Sequence, residues 1–387
     1  MVNNALDNKI TIVALCSALN GVGGTSRHLL NLYSNLNRSK YRFLIAYCSN
    51  KKDDVERFFL DGGVRKEDLF CFPISKGAMF IPLIMRLRRL FIRENADIVH
   101  TFFLHSDIIG FLSAMLSGKI RLISSVEGKF LLDKVNGVNK LKQACYMIAN
   151  LLIRRFFYRT IAVSAALKEE VIACYKPAMG STIVVNVGIG IPSDKEIDEV
   201  SLARGKRGYP VVATAARFSK DKRLECFLRA IPDIVKEIPK ARFIIAGSGD
   251  QEAVLRLLAA DLGISSIVSF YGWFNNIKKF MEEIDVFVMT SAREGCPIAL
   301  LEALSFSSPV VAFDVPGVKE IIVNGGNGIL VEPFDLRKLS SAVTRVCRDS
   351  EYAKMLGKNG RNLVQVKFGI KTEVDLIEKL YSSAVNF

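Results

Sequence analysis

Two glutamates eight positions apart, Glu294 and Glu302, bracket Gly295, Cys296 and Pro297 in the stretch REGCPIALLEAL at residues 293–304. Pro297 suits the first turn of a helix, which puts Glu294 in the preceding loop and Glu302 within the first two helical turns. The N-terminus of such a helix presents backbone N–H groups that suit an anion or sugar hydroxyls. A carboxylate at Glu302 can accept hydrogen bonds from a ribose diol, as acidic residues do in nucleotide sites. The competing reading is ordinary: an exposed loop charge and a carboxylate that stabilises the helix dipole.

Other residues bear on that choice. In TAARFSKDKRLECFLRAI, residues 214–231, Arg217 leaves a strand and Lys222 opens the next helix, an arrangement of cations suited to a diphosphate. Taken alone, two solvated surface cations are the commoner outcome. Glycine turns follow two more strands, Gly247 and Gly249 in FIIAGSGD and Gly272 with Trp273 in FYGW. Near the N-terminus, NGVGGTSRH at 20–28 follows the first strand, and Gly23 and Gly24 let backbone approach a ligand at a helix start. That stretch has neither the lysine of a P-loop nor the spacing of a dinucleotide fingerprint.

The elements that must position these residues alternate strand and helix, the pattern of parallel sheets. Strands are expected at 10–16, 43–47, 97–101, 121–126, 160–163 and 182–186. A second series is expected at 210–216, 242–246, 267–270, 285–289, 309–313 and 328–331. Helices are expected at 24–37, 222–236, 251–261, 297–306 and 336–347. The polar window 191–208 separates the series and reads as a linker. The expected fold is therefore α/β, with two Rossmann-like doubly wound domains facing across a cleft. Residues 1–195 form the first domain, 196–369 the second, and a last helix within 370–387 returns to the first. A chain of 387 residues suits two such cores.

The eight cysteines form no CxxC, and with three scattered histidines they give no zinc pattern. They read as free thiols in a reducing compartment. The run ITIVALCSAL reads as a buried strand rather than a leader, and no apolar run reaches the ~20 residues of a spanning helix. The net charge of +14 is uneven: residues 1–190 hold 26 Lys and Arg against 14 Asp and Glu, a surplus of 12. No helix-turn-helix, RNP or zinc motif accompanies it, so a nucleic-acid partner is not expected.

Taken together, the stretches SAREGCPIALLEALSFSSPVVAFDVPGVKEII, GNGILVEPFD, ARFSKDKRLECFLRA, FIIAGSGD, FYGW, VSAALK, NVGIGIP and GVGGTSRHLLNLYSNL resemble the retaining GT-B glycosyltransferases of family 4. The resemblance is dense over 211–335 and looser before 190. It implies transfer of a hexose or N-acetylhexosamine from a nucleotide-diphosphate donor, UDP favoured, with retention and without metal or other cofactor. It places Arg217 and Lys222 on the donor diphosphate with Gly24, and beside it Gly23, under it. Glu294 falls on the donor sugar, Glu302 on the ribose, and Gly295, Cys296 and Pro297 on sugar hydroxyls and phosphate. Gly247, Gly249, Gly272 and Trp273 fall at nucleotide-site turns. Glu127, in SSVEGKF, stands at the end of the fourth expected strand, where many relatives carry a histidine near the reacting sugar. Ser307 replaces a common glycine, and Cys296 a frequent aromatic residue. The alternative reading is a non-catalytic protein of the same fold that binds nucleotide sugars or serves as a scaffold.

The basic half adds a further expectation. FIPLIMRLRRLFIR at 80–93 sets Arg86, Arg89 and Arg93 on one helical face and Leu83, Leu87 and Leu90 on another. KLKQACYMIANLLIRRFFYR at 140–159 surrounds an apolar middle with Lys140, Lys142, Arg154, Arg155 and Arg159. Both segments suit an anionic membrane surface as well as they suit solvent. The expected location is cytoplasmic, peripheral on the inner face of the plasma membrane, with a lipid-linked or saccharide acceptor.

Overall fold

The structure is a computed structural model that describes residues 9–17, 19, 22–49, 52–73, 80–128, 148–175, 180–273 and 276–386. The chain divides into two compact units, Met1–Gly188 with Ile370–Phe387, and Ile189–Gly369.

In the first unit seven parallel strands lie in the order β3-β2-β1-β4-β5-β6-β7. They are β1 (Ile10–Cys16), β2 (Tyr41–Cys48), β3 (Leu69–Phe72), β4 (Ile98–Phe102), β5 (Arg121–Val126), β6 (Arg159–Ala162) and β7 (Thr182–Val184). Ile12, Val13, Ala14 and Leu15 of β1 are fully buried, as a central strand covered on both faces must be. Strand β3 was not expected: LFCF is too short to carry a periodic signal, and it pairs with β2 only at the sheet edge. The helices of this unit include α1 (Gly24–Asn35), α2 (Lys52–Asp61), α3 (Phe80–Arg93) and α4 (Leu104–Met115). Residues 148–153 belong to α5, and Ala165–Tyr175 is α6.

The second unit holds a six-stranded parallel sheet in the order β10-β9-β8-β11-β12-β13. Its strands are β8 (Val211–Ala215), β9 (Arg242–Ala246), β10 (Val268–Tyr271), β11 (Val286–Met289), β12 (Val310–Phe313) and β13 (Ile329–Val331). Its helices are α7 (Asp194–Gly205), α8 (Leu224–Glu237), α9 (Glu252–Asp261), α10 (Ile277–Glu282), α11 (Ile298–Ser305), α12 (Leu336–Arg348) and α13 (Ser350–Lys367). In each sheet the strand order reverses between two neighbours, β1 and β4 in one and β8 and β11 in the other. Ligands of doubly wound sheets bind beyond the carboxyl ends of the strands at that reversal.

The structure corrects two expectations. The polar window 191–208 is not a linker but contains α7, started by a capping box in which Ser193 accepts the Glu196 N–H and Glu196 reaches back to Ser193. Only Val200 of that helix is buried, so its composition looked like a loop. The units accordingly meet at 188 and 189 rather than at 195 and 196.

The last helix, α14 (Ile370–Val385), belongs to the first unit and buries Val374, Ile377, Leu380, Tyr381 and Ala384 in its core.

Candidate active site

Strand β8 ends at Ala215 and β11 at Met289, and the loops that leave them are tied together. The Ala292 N–H donates to the Asp221 carbonyl at 2.9 Å, and the Thr290 hydroxyl to the Lys222 carbonyl at 3.2 Å. This brings Lys222 to Glu294: Nζ lies 2.7 Å from Oε1, with the side chains 21% and 10% exposed. Arg217, two residues beyond β8, is exposed. Lys222 does not open the helix, as expected from sequence. It closes a short 3-10 turn, Lys220–Lys222, and α8 begins at Leu224 after Arg223 adopts a left-handed conformation with φ of 50°.

The glutamate loop runs into α11 through Pro297, which caps the helix from outside rather than standing in its first turn. No side chain caps α11, and Glu302 is its fifth residue, half-buried. Gly295 and Pro297 are buried, and Cys296 is half-buried. Against this loop lies Gly317, with φ of 79°, so close that a Cβ there would stand 2.4 Å from the Glu294 carbonyl oxygen and 2.6 Å from that of Gly295. Gly317 thus sets the backbone path beneath Glu294. It belongs to the stretch DVPGVKE, but nothing in its spacing links it to Glu294.

The glycine turns after β9 and β10 lock onto the loop after β8. Gly247 has φ of 132°, and a Cβ there would fall 1.9 Å from the Ala216 carbonyl oxygen. A Cβ at Gly249 would meet the Phe218 carbonyl oxygen at 2.3 Å. The Gly247 N–H in turn donates to the Tyr271 carbonyl at 3.0 Å, beside the exposed Gly272 and Trp273. One sheet edge therefore gathers Arg217, Lys222, Glu294, the α11 N-terminus and three glycine positions. Two cations and uncapped backbone N–H groups can hold a polyanion, and the carboxylate can hold hydroxyls.

In the first unit Gly23 caps α1 in extended backbone, Gly24 is the first helical residue, and no side chain caps the helix. One turn on, His28 joins Glu127 through Nδ1 and Glu373 of α14 through Nε2 at 2.5 Å. Burial alone would lower the His28 pKa, but Glu373 and Glu127 outweigh it and hold it well above the usual histidine value. Behind it His100 bonds Tyr381 and Ser125, each at 2.7 Å, and burial followed by the His28 charge pushes its pKa down to about 3. Glu127 thus meets the Gly23–Gly24 helix start through His28, and it follows the fifth strand rather than the fourth because β3 intervenes. His28 and Glu373 carried no sequence signal: they stand 99 and 246 residues from Glu127.

The basic segments fare differently. Arg86, Arg89 and Arg93 are exposed on α3 beside Ile81, Met85 and Ile92, and Leu83, Leu87 and Leu90 are buried as expected. In the second segment residues 140–147, with Lys140 and Lys142, lie outside the described residues. Arg154 is no surface cation: it is 1% exposed and ion-pairs with the buried Asp107 at 2.5 Å. Arg159 opens β6. Among the described residues no helix is long and apolar enough to cross a membrane.

Two Rossmann-type units with these strand orders define a GT-B fold, and the molecule is a glycosyltransferase of that class. The structure of HepE from Anabaena in complex with UDP and glucose superposes with a TM-score of 0.80 at 19% identity, over 97% of this chain and all of that one. Family models assign the kinship: "Glycosyl transferases group 1" matches residues 195–363 and "Glycosyltransferase Family 4" matches 22–189, and the chain belongs to that family of glycosyltransferases. It is similar to the UDP-Gal:alpha-D-GlcNAc-diphosphoundecaprenol alpha-1,3-galactosyltransferase of Escherichia coli, 27% identical over 80% of this chain and 85% of that protein. The putative glycosyltransferase EpsD of Bacillus subtilis is 28% identical over 51% of this chain and 53% of its own length.

Proposed function

We propose that this glycosyltransferase moves a hexose or N-acetylhexosamine from a UDP-sugar to a lipid-linked saccharide, with retention, in envelope polysaccharide or glycolipid assembly. The observation that carries this reading is the joining of the β8 and β11 loops, which sets Lys222 against Glu294 at the strand-order reversal, beside the α11 N-terminus. The Escherichia coli relative, whose name gives a UDP-galactose donor and a diphosphoundecaprenol-linked acceptor, supports the donor and acceptor classes. The HepE complex with UDP and glucose supports the donor as well.

In this reaction the bond between the sugar C1 and the β-phosphate oxygen breaks while the acceptor oxygen bonds C1 on the same face. The acceptor proton passes to the leaving diphosphate. Arg217 and Lys222 neutralise that diphosphate. The backbone of Gly295, Cys296 and Pro297 meets sugar hydroxyls and phosphate, Glu294 holds the sugar and Glu302 the ribose. Gly247, Gly249, Gly272 and Trp273 shape the nucleotide turns. Preorganised cations and N–H groups supply the charge stabilisation, so the reaction needs no metal.

Thermal shift with UDP-, GDP- and ADP-sugars tests the donor, since a bound donor raises the melting temperature by mass action. Stabilisation by UDP-sugars is expected; a response to GDP- or ADP-sugars alone overturns UDP. Transfer in excess EDTA should persist, and NMR of the product should show the donor's anomeric configuration.

Exposed Arg86, Arg89 and Arg93 beside exposed Ile81, Met85 and Ile92 support a peripheral site on the inner, anionic face of the plasma membrane. Co-sedimentation with phosphatidylglycerol vesicles should fall when these three arginines become Gln and as salt rises. Equal sedimentation with neutral vesicles overturns the membrane role.

A further inference from the structure

The polar centre of the first unit turns on a histidine held between two acids. His28 Nδ1 meets Glu127 Oε1 and Nε2 meets Glu373 Oε1, with the three side chains 4%, 7% and 2% exposed. A neutral imidazole has a single N–H and can satisfy only one of these oxygens, whereas an imidazolium donates to both. The groups facing the ring agree with that state. Glu373 and Glu127 raise its pKa against burial, and the pKa of His100 is lowered by burial and by the His28 charge. Phe102 presents its ring edge-on at 5.8 Å.

The two acids differ in what they have left. Glu373 gives its second oxygen to the Gly188 N–H at 2.7 Å, so it is fully engaged. That contact requires the glycine: a Cβ at 188 would fall 2.7 Å from the Ile370 Cα. Glu127 Oε2 makes no hydrogen bond among the described residues. Among the described residues, the carboxylate oxygen left without a hydrogen bond is on Glu127. Glu127 stands just past β5, the strand beside β4 in the sheet, and its partner His28 lies one helical turn from the Gly24 start of α1.

We propose that His28 is a positioning residue for transfer: as an imidazolium anchored by Glu373 of α14, it holds Glu127 as an aimed carboxylate whose second oxygen accepts a hydrogen bond from a sugar hydroxyl. This rests on Glu127 belonging to the transfer site. The last helix of the chain thereby takes part in the chemistry of the first unit, through a side chain 345 residues from His28.

The test uses the full chain and three variants. His28→Asn sets an amide N–H near the place of Nδ1, His28→Gln sets one near Nε2, and Glu127→Gln removes the carboxylate. Initial rates are read as UDP release from UDP-galactose and UDP-glucose with GlcNAc-diphosphoundecaprenol present. Glu127→Gln and His28→Gln should each lower kcat about a hundredfold, the scale of a misplaced group at a reacting centre, and His28→Asn distinctly less. The wild-type rate should fall as pH rises through the raised pKa of His28, and that limb should be absent in His28→Asn. A KM change for donor or for acceptor that accompanies the kcat loss in Glu127→Gln assigns the hydroxyl to one sugar or the other. If Glu127→Gln keeps full kcat, Glu127 is not in the site and this proposal fails while the transfer reading stands; if the wild type releases no UDP, it is the transfer reading that fails. If Glu127→Gln loses kcat while His28→Gln does not, only the positioning proposal fails. A second readout needs no turnover: in 15N-histidine spectra, with the His28 signal assigned by its loss in His28→Asn, that ring should be doubly protonated at neutral pH. A neutral His28 ring there overturns the proposal.

Discussion

Replacing Glu294 by Gln should tighten the binding of UDP while it abolishes transfer, an opposition that follows from the 2.7 Å contact between Lys222 and Glu294. Without donor the ammonium already has an anionic partner, so a diphosphate must displace a carboxylate to reach it. A partly exposed ion pair contributes about 1 kcal/mol at most, so freeing Lys222 raises UDP affinity by up to about fivefold. The same exchange discounts the loss in Lys222→Ala. A hydrogen bond to a charged group contributes roughly 1.5–3 kcal/mol, and subtracting the broken pair leaves about 0.5–2 kcal/mol, or roughly twofold to thirtyfold. Arg217 has no ion-pair partner among the described residues. Its Ala variant should therefore lose the undiscounted amount, about tenfold to a hundredfold. Calorimetric titration of UDP into the full chain at one fixed salt concentration separates the three variants. Weaker UDP binding by Glu294→Gln, or a larger loss in Lys222→Ala than in Arg217→Ala, refutes the exchange.

Four further outcomes are expected. Glu302→Gln should weaken UDP binding about tenfold in the same titration, from one lost charge-assisted contact. Gly317→Ala forces a Cβ to 2.4 Å from the Glu294 carbonyl at a φ of 79°, so transfer should fall along with a stability loss of about 1–3 kcal/mol in urea. Arg154→Ala leaves the fully buried Asp107 unpaired and should cost about 3–5 kcal/mol by urea denaturation. His28 has a folded pKa above its unfolded value of 6.5, so its stabilising contribution is complete below that value and is lost as pH rises through the folded pKa. The urea midpoint of the wild type should therefore fall with rising alkaline pH more steeply than that of His28→Asn.

Most of the fold was legible because both sheets are parallel and covered on both faces, so their strands read as short β-branched runs. The strand at Arg242–Ala246 is one such run, found at its expected limits. What was not legible was weakly hydrophobic or brief. Strand β3 spans four residues, all half-buried, and α7 buries one side chain. The capping box Ser193–Glu196 was the readable trace of α7, because S-x-x-E states a helix start without any apolar periodicity.

The two units differ in how their candidate residues are encoded, and physics explains the difference. In the second unit the groups stand at the ends of successive strands, so strand periodicity carries them to one edge: β8 delivers Arg217 and Lys222, β11 delivers Glu294. The sequence order of those strands already implies their adjacency at a strand-order reversal. In the first unit the centre is built by tertiary contact alone. His28 sits on a helix face, Glu127 past a strand, and Glu373 on a helix that reaches the unit only after the whole second unit has been completed. No periodicity links positions 28, 127 and 373: Glu127 is singled out only by the family resemblance, and His28 and Glu373 read singly as helix residues. Burying acids is costly unless each is hydrogen-bonded, and here both meet that condition: Glu127 through His28, Glu373 through His28 and the Gly188 N–H.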